Sequence, residues 1–426
     1  MRSTASRLED LEQFLDERRK DFVLERVSLP EAKGWRLDEG ILKHETGGFF
    51  SVVGANFGPA DDRVFLYQPQ SAVAGLLAGF FEGETHLLLQ ARAEPGTQGS
   101  AQYAPTMQST LANYLGMHGG KPAAYADQFI RHHPSLQRIV HDSEQLDLGE
   151  RYLCKTKRST VLECAPDIAL EDGFIWVGES LLCDAVTRPY FLNTDLRAML
   201  GVLPWTSRPG SHNGIAPRSP LVRESLARPL APARIGALAS ALSGHPAASS
   251  FKPLQELDNW DITAQGFVER ERRQGFAIEF FYCEAKGREV RSWCQPLLNS
   301  RGSGYAALYC RSVDGALEVL VRTGRESGLK TGHALLPTVL LYPDNTGPVT
   351  PAPGKVLVST MESDEGGRFL SDTSRYEIVL VPPDFGCGEA HHWISVAELK
   401  WFLAHSNLCS IQLRGLASML LGELPC

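Results

Sequence analysis

The chain repeats itself at an interval of about 220 residues, so whatever unit it folds into must be built twice and pack against its own likeness. The stretch SEQLDLGERYLCKTKRSTVL (143–162) aligns with SDEGGRFLSDTSRYEIVL (363–380). Arg151 falls on Arg368 and Arg158 on Arg375, both 217 residues apart, and the same shift carries Trp176 onto Trp393 and Arg197 onto Arg414. Upstream, YQP (67–69) pairs with CQP (294–296) at an offset of 227. LLLQARAEPG then pairs with VLVRTGRESG, and Pro105-Thr106 with Pro337-Thr338, at an offset of 232. These matches predict a helical N-terminal segment over 1–29, a first repeat over 30–203 and a second over 254–426. The intervening 204–253, rich in Pro, Ser, Gly, Ala and Arg, reads as a linker with one Ala/Leu-rich helix.

Within each copy, β-rich runs come first: GGFFSVVGANF, RVFLYQP and THLLLQARAE, then GFAIEFFYCEA, REVRSWCQPLL, GYAALYCRSV and GALEVLVRTG. Helical patterns close each copy, WVGESLLCDAV and DLRAMLGVL in the first, WISVAELKWFLAHS and LRGLASMLLGEL in the second. The expectation is an α+β unit with a mixed sheet flanked by helices, used twice. With 426 residues and 43% hydrophobic side chains, two domain-sized cores are affordable.

A net charge of −8 argues against a dedicated nucleic-acid binder, which would show a basic stripe. No apolar run approaches the roughly 20 residues of a membrane helix, and the charged N-terminus is unlike a signal peptide, so a cytoplasmic protein is expected. Nine cysteines without a C-x-x-C pair read as reduced, packed thiols rather than a disulfide framework or zinc site.

Standard catalytic signatures are missing: no GxxxxGK[ST], HExxH, GxSxG or strand-to-helix GxGxxG. RGSGYA (301–306) lies between two strands and reads as a hairpin loop, and His132-His133 and His391-His392 read as surface pairs. One stretch stands apart. EPGTQGSAQYAPTMQSTLANYLGMH (94–118) carries no charge between its ends and is dense in amides and hydroxyls, with a helix expected after Thr106. Such groups suit either a ligand covered in hydroxyls and carbonyls, a sugar or a pyrimidine edge, or a polar loop that satisfies its own backbone.

The string QARAEPGTQGSAQYAPTMQSTLANYLGMHGGKP closely resembles the signature of the NDP-hexose 2,3-dehydratases of deoxysugar biosynthesis. GGFFSVVG, YQP, SEQ…GERYLCKTKR, LNTDLR, LDNWDIT, GREVRSWCQPLL and DEGGRFL match as well, in order, from Trp35 to the last helix. The resemblance implies two tandem Nudix-like domains in a homodimer, acting on a dTDP-linked 4-keto-6-deoxyhexose. The C4 ketone acidifies C3–H, a base takes that proton, an acid helps the C2 hydroxyl leave, and the enol relaxes to a 3,4-diketo-2,6-dideoxy sugar. The step implied needs no cofactor and no metal, and the Nudix metal box is missing, so diphosphate cleavage is not expected. A downstream ketoreductase that intercepts the product is a possible partner.

On that resemblance Tyr114 and His118 are the expected proton-transfer pair, with Glu94 as an alternative base or as organiser of its loop. Gln90, Gln102, Thr106, Gln108 and Asn113 are expected to hold the sugar oxygens. Arg151, Lys155 and Arg158, on an apparent strand, and Asn193 and Arg197 of LNTDLR are expected at the diphosphate. Trp35, Trp260 and Trp293 are candidates to stack on the base, or buried core residues.

The second copy is worn. Gln90, Pro95, Gln108 and Tyr114 become Arg322, Ser327, Leu340 and Thr346, whereas Glu326, Pro337, Thr338 and Asn345 persist. The first copy is therefore expected to hold the chemistry and the second to be scaffold or a vestigial pocket. The first copy also departs from the family in a shortened segment after its QP dipeptide and in K-T-K-R (155–158) for K-x-N-R. Two alternatives stay open: a repurposed member acting on another activated β-hydroxy carbonyl compound, and a non-catalytic binding or scaffold protein.

Overall fold

The computed structural model describes residues 4–20, 22–114, 121–130, 136–212, 214–270, 274–343 and 353–425. Its two halves have the same mixed α+β topology. In the first, the main sheet runs in the order Leu136–Leu146, Thr156–Cys164, Ala72–Phe81, Glu84–Ala93, Phe174–Gly178. In the second, Lys355–Ser363, Thr373–Leu380, Ser303–Val313, Ala316–Arg325 and His391–Ser395 take the same places. The second and third strands of each order are parallel and the rest of the ladder is antiparallel. Even an irregularity recurs: the register slips between Ile139 and His141 in one half and between Val356 and Val358, 217 residues on, in the other. Strand Ala72–Phe81 carries no alternation, because nearly all of it is buried, which is why the sequence pattern did not expose it.

Helices Thr194–Val202 and Ile411–Met419 close the two halves and pack on each other. Asn193 and Ser410 cap them in the same way, each side chain accepting from a backbone N–H three residues on. The crossing is close: a Cβ on Gly201 would lie 2.6 Å from the Arg414 carbonyl oxygen.

Each half also has a smaller sheet, antiparallel except where Tyr152–Leu153 runs parallel to Asp62–Tyr67 in the first, and here strands cross between the halves. Phe22–Val27 pairs with Phe276–Ala285 of the second half, and Ser250–Lys252 pairs with Ser51–Asn56 of the first. The N-terminal segment is thus a helix, Leu8–Arg19, followed by a strand, and the segment 204–253 holds two helices, Pro220–Ala227 and Pro232–Leu242, as well as that exchanged strand. RGSGYA does not close a hairpin: the strands flanking it, Ser292–Ser300 and Ser303–Val313, belong to different sheets. Among the described residues, no helix is long and apolar enough to cross a membrane.

A reciprocal loop contact locks the halves together. Gly96, at φ +77°, lies under the Phe369 carbonyl, and Gly367 N–H and Ser371 N–H donate to the carbonyls of Pro95 and Gly96, at 2.9 and 2.6 Å. In the mirror contact Gly328 lies under the Tyr152 carbonyl, and Cys154 N–H donates to Gly328 O at 2.7 Å. Loop 364–369 of the second half therefore sits on Glu94 of the first, and loop 147–152 of the first sits on Glu326 of the second.

Candidate active site

A cleft with about 950 Å³ of empty space, its open mouth included, lies where loop 364–369 meets the amide-rich segment. The first half supplies Phe50, Gln68, Arg92, Glu94, Gln108, Asn113, Lys155, Lys157 and Asp195; the second supplies Arg288, Glu289, Trp293, Gln295, Glu365 and Arg368. The lining mixes aromatic faces with convergent polar groups, the composition of a ligand site.

Two charge networks form its walls. On one side the buried Glu94 carboxylate accepts from Arg92 Nε at 2.9 Å and from Gln108 Nε2 at 3.2 Å, with Arg288 Nη1 at 3.7 Å. Burial works against its ionisation, yet the Arg92 and Arg288 charges outweigh it and hold the carboxyl below the ordinary glutamate value. Glu289, 3.2 Å from Arg288 Nε and 3.6 Å from Arg92 Nη1, is half-buried; its partial desolvation works against ionisation, but those two arginines hold it down at about 2. On the other side Lys155 Nζ lies 3.0 Å from Asp147 Oδ2 and 3.8 Å from Glu365 Oε1. Lys157 Nζ lies 2.7 Å from Asp195 Oδ1 and 3.2 Å from Asp147 Oδ2. Tyr152 OH donates to Glu365 Oε2 at 2.7 Å.

In this second network two neighbours that line the cleft are shifted toward each other in proton affinity. Burial raises the Glu365 carboxyl above its ordinary value against the pull of Lys155 and Lys157. Burial likewise lowers the Lys155 ammonium, partly offset by Asp147. An acid pushed up beside an amine pushed down brings the two closer in proton affinity, which suits a group that must give and take protons.

The expected residues separate sharply. Glu94, Gln108, Asn113 and Lys155 line the cleft. Asn193 reaches its edge: while capping its helix it donates from Nδ2 to Gln108 Oε1 at 2.9 Å and so orients that amide. Gln90 lies in a neighbouring cleft and accepts from Arg92 Nη1. The remaining side chains are occupied elsewhere. Thr106 accepts from Leu77 N–H and donates to Leu88 O inside the main sheet, and Thr338 repeats this in the second half. Gln102 is buried and donates to Ser363 Oγ. Tyr114 packs against the apolar cluster around Leu77, Met107 and Phe129 instead of facing the cleft. His118, like His132, His133, Asn345 and Thr346, lies outside the described residues.

The arginines assigned to the diphosphate are corrected by their surroundings. Arg158 forms a two-pronged surface pair with Asp142, because adjacent residues on a strand face opposite ways and Lys157 takes the inward direction. Cys154, at φ +54°, breaks the strand before it, so Arg151 is aimed away. Arg151 lies between the rings of Phe276 and Tyr342 and donates to Gln274 O. Arg197, 1% exposed, donates to Glu362 and to the carbonyls of Leu192 and Ser363. Trp35 and Trp260 are buried, Trp35 donating to Cys294 O, whereas Trp293 lines the cleft and donates to Gln295 Oε1.

What sequence reasoning passed over comes chiefly from the second half: Arg288, Glu289, Gln295, Glu365 and Arg368. The strings GREVRSWCQPLL and DEGGRFL that contain them were visible as part of the resemblance, but the crossing of loops between repeats was not. Lys157 and Asp195 stood in strings already singled out, K-T-K-R and LNTDLR.

Comparison with known proteins gives one answer. A family model described as NDP-hexose 2,3-dehydratase matches residues 8–203 and 237–420. A dTDP-4-dehydro-6-deoxy-alpha-D-glucopyranose 2,3-dehydratase of Streptomyces violaceoruber is 30% identical over 421 residues, covering 93% of this chain and 92% of that protein. Proteins of the same name from Amycolatopsis orientalis and Saccharopolyspora spinosa are 27% and 26% identical, over 96% and 94% of this chain and 89% and 88% of theirs.

Proposed function

We propose, from the premise that the chain belongs to the NDP-hexose 2,3-dehydratase family, that the cleft between its halves removes water from a dTDP-4-keto-6-deoxyhexose. The chain is a carbon–oxygen lyase of sugar nucleotides; the residues and the course of the reaction are our reading. The observation that carries the site is the pairing of Glu365 and Lys155, with opposed shifts, 3.8 Å apart in a cleft also lined by Gln108 and Asn113.

In this reading the Glu365 carboxylate takes the C3 proton while the Lys155 ammonium faces the C4 oxygen and stabilises the enolate that forms. The enolate then expels the C2 hydroxyl, which takes the same proton from Glu365 and leaves as water. The C2–C3 enol tautomerises to the 3,4-diketone. The C3–H electron pair ends in the new C2–C3 double bond and the C2–O pair departs with the water, so there is no hydride to transfer and no hydride acceptor is required. Glu94, held ionised by two arginines, is a poor base and a good fixed anion. Its role is to set Arg92 and Gln108 against the sugar, which moves the chemistry from the Tyr114, His118 and Glu94 set to the Lys155 and Glu365 pair. The repeat we read as Nudix-like, and the assembly as a homodimer whose unstable product passes to a ketoreductase.

Incubation of the protein with dTDP-4-keto-6-deoxyglucose, followed by borohydride trapping, tests the function. A trapped 2,6-dideoxy sugar nucleotide is expected. Recovery of substrate unchanged from folded protein overturns the assignment, and turnover of a non-nucleotide β-hydroxy ketone alone transfers it to the repurposed-enzyme alternative.

A further inference from the structure

Resting on that reading, we propose that Arg368, a residue of the second half, is the anchor for the nucleotide diphosphate in a site whose chemistry belongs to the first.

Five cationic side chains line the cleft: Arg92, Lys155, Lys157, Arg288 and Arg368. Four of them face carboxylates at ion-pair distance. Arg92 has Glu94 at 2.9 Å, Arg288 has Glu289 at 3.2 Å, Lys155 has Asp147 at 3.0 Å, and Lys157 has Asp195 at 2.7 Å. Each must give up a partner, or share it, to take a phosphate, and such an exchange of one buried anion for another gains little. Arg368 is the exception among the described residues. Its only side-chain hydrogen bond goes from Nη2 to a neutral acceptor, Gln68 Oε1, at 3.0 Å, and its Nε is buried without a partner.

The guanidinium is also held in a fixed plane. It lies 4.5 Å over the Phe50 ring, and its backbone is pinned where Arg368 O accepts from Leu298 N–H at 2.9 Å. A planar guanidinium stacked on one face, half-buried and with Nη1 carrying no hydrogen bond, is preorganised to reach a phosphate oxygen from the cleft wall. The opposite case stands in the same molecule. Arg151, 217 residues earlier, is stacked between two rings and donates to backbone carbonyls, leaving no edge for a ligand. The two repeats hold equivalent arginines, and only the one donated across the interface to the first-half cleft is open.

The diphosphate hangs from C1, next to C2, but none of its bonds breaks or forms, so this contact is expected to bind ground and transition states alike and to show in KM rather than kcat. The test is calorimetric titration of wild type, Arg368→Gln and Arg368→Lys with dTDP and with thymidine, beside turnover of the sugar nucleotide. Arg158→Gln serves as a control for a cation paired on the surface. Arg368→Gln is expected to weaken dTDP about 10- to 100-fold and leave thymidine unchanged. KM should rise by a similar factor with kcat near the wild-type value, Arg368→Lys should recover part of the loss, and Arg158→Gln should match wild type. Wild-type binding of dTDP with equal binding by Arg368→Gln overturns the anchor and spares the functional reading. Failure of wild type to bind dTDP overturns the functional reading and the anchor with it. A parallel loss of thymidine affinity, or of kcat, in Arg368→Gln means that the residue supports the loop instead of the phosphate.

Discussion

Replacing Gly96 with alanine puts the interlocking of the halves to a direct test. A Cβ at this position would sit 1.8 Å from the Phe369 carbonyl oxygen and 2.7 Å from its carbon, well inside contact distance and against backbone on both counts. Gly96 has φ +77°, a conformation that costs an L-residue about 1 kcal/mol on its own. Relief of the clash requires loop 364–369 to retreat by more than an ångström, which breaks the bonds from Gly367 N–H to Pro95 O and from Ser371 N–H to Gly96 O. At about 1 kcal/mol each, with the strain, the loss comes to about 3 kcal/mol. For a chain of 426 residues melting as one unit that is a fall in Tm of about 3 °C. Because the retreating loop carries Glu365 and Arg368, turnover should fall by at least tenfold at temperatures where the variant is fully folded. Gly328→Ala, with its Cβ 2.0 Å from the Tyr152 carbonyl oxygen, is the mirror experiment and should destabilise to a similar degree. Differential scanning fluorimetry and urea midpoints measure both. If Gly96→Ala keeps wild-type Tm and wild-type turnover, the halves do not depend on this contact and the composite cleft is misread.

Glu365→Gln should lower kcat by about 10²- to 10⁴-fold while leaving dTDP affinity within a factor of about three, as read by trapped product and calorimetry; unchanged kcat removes Glu365 from the chemistry. Glu326, the second-half counterpart of Glu94, is pushed up by burial, and by the nearby Glu150, to about 7 from the usual 4.5, although it accepts from Tyr342 OH and Gly149 N–H. The folded state thus binds this proton more tightly than the unfolded one, so its stabilising effect is complete below about pH 4.5 and is lost as pH rises through 7. Glu326→Gln should flatten that decline, worth on the order of 2 to 3 kcal/mol, in urea midpoints taken from pH 5 to 8. Expressed alone, residues 1–203 lack the strand Ser250–Lys252 and leave Phe22–Val27 without its partner. That fragment should be insoluble or unfolded by circular dichroism, and recovered as folded protein only when co-expressed with residues 237–426.

The repetition of topology was legible because a core must be repeated wherever a fold is: Trp176 and Trp393, Thr106 and Thr338, Arg197 and Arg414 recur at fixed offsets. For the same reason these matched polar residues mark structure rather than ligand contact. Thr106 and Thr338 tie the same two strands, and Arg197 and Arg414 each donate to the carbonyl just before their own helix. The cleft joins matched positions, such as Glu94 and Arg368, to others where the copies differ. Gln108 stands against Leu340, Lys155 against Asp372, Lys157 against Ser374 and Asp195 against Gln412. The sequence could not disclose which half supplies the rest, because strand and loop exchange depends on tertiary contacts at Gly96 and Gly328 that leave no local periodicity.

That exchange alters how divergence between the copies is to be weighed. Judged within its own repeat, the second copy is worn, with Leu340 where Gln108 hydrogen-bonds Glu94. Judged across the interface, it is the second copy that has kept the polar loop: Glu365 and Arg368 stand where the first copy has Leu148 and Arg151, and Leu148 lies in an apolar cluster. The cleft takes its amide-rich wall from the first half and loop 364–369 from the second. Loss in the second copy's wall and retention in its loop are therefore compatible, since the cleft uses the loop and not that wall. A second half reduced to bare scaffold would be free to lose Glu365 and Arg368. Their presence, turned into the other repeat's cleft beside Lys155 and Phe50, gives the second half a share in the reaction on the reading proposed above.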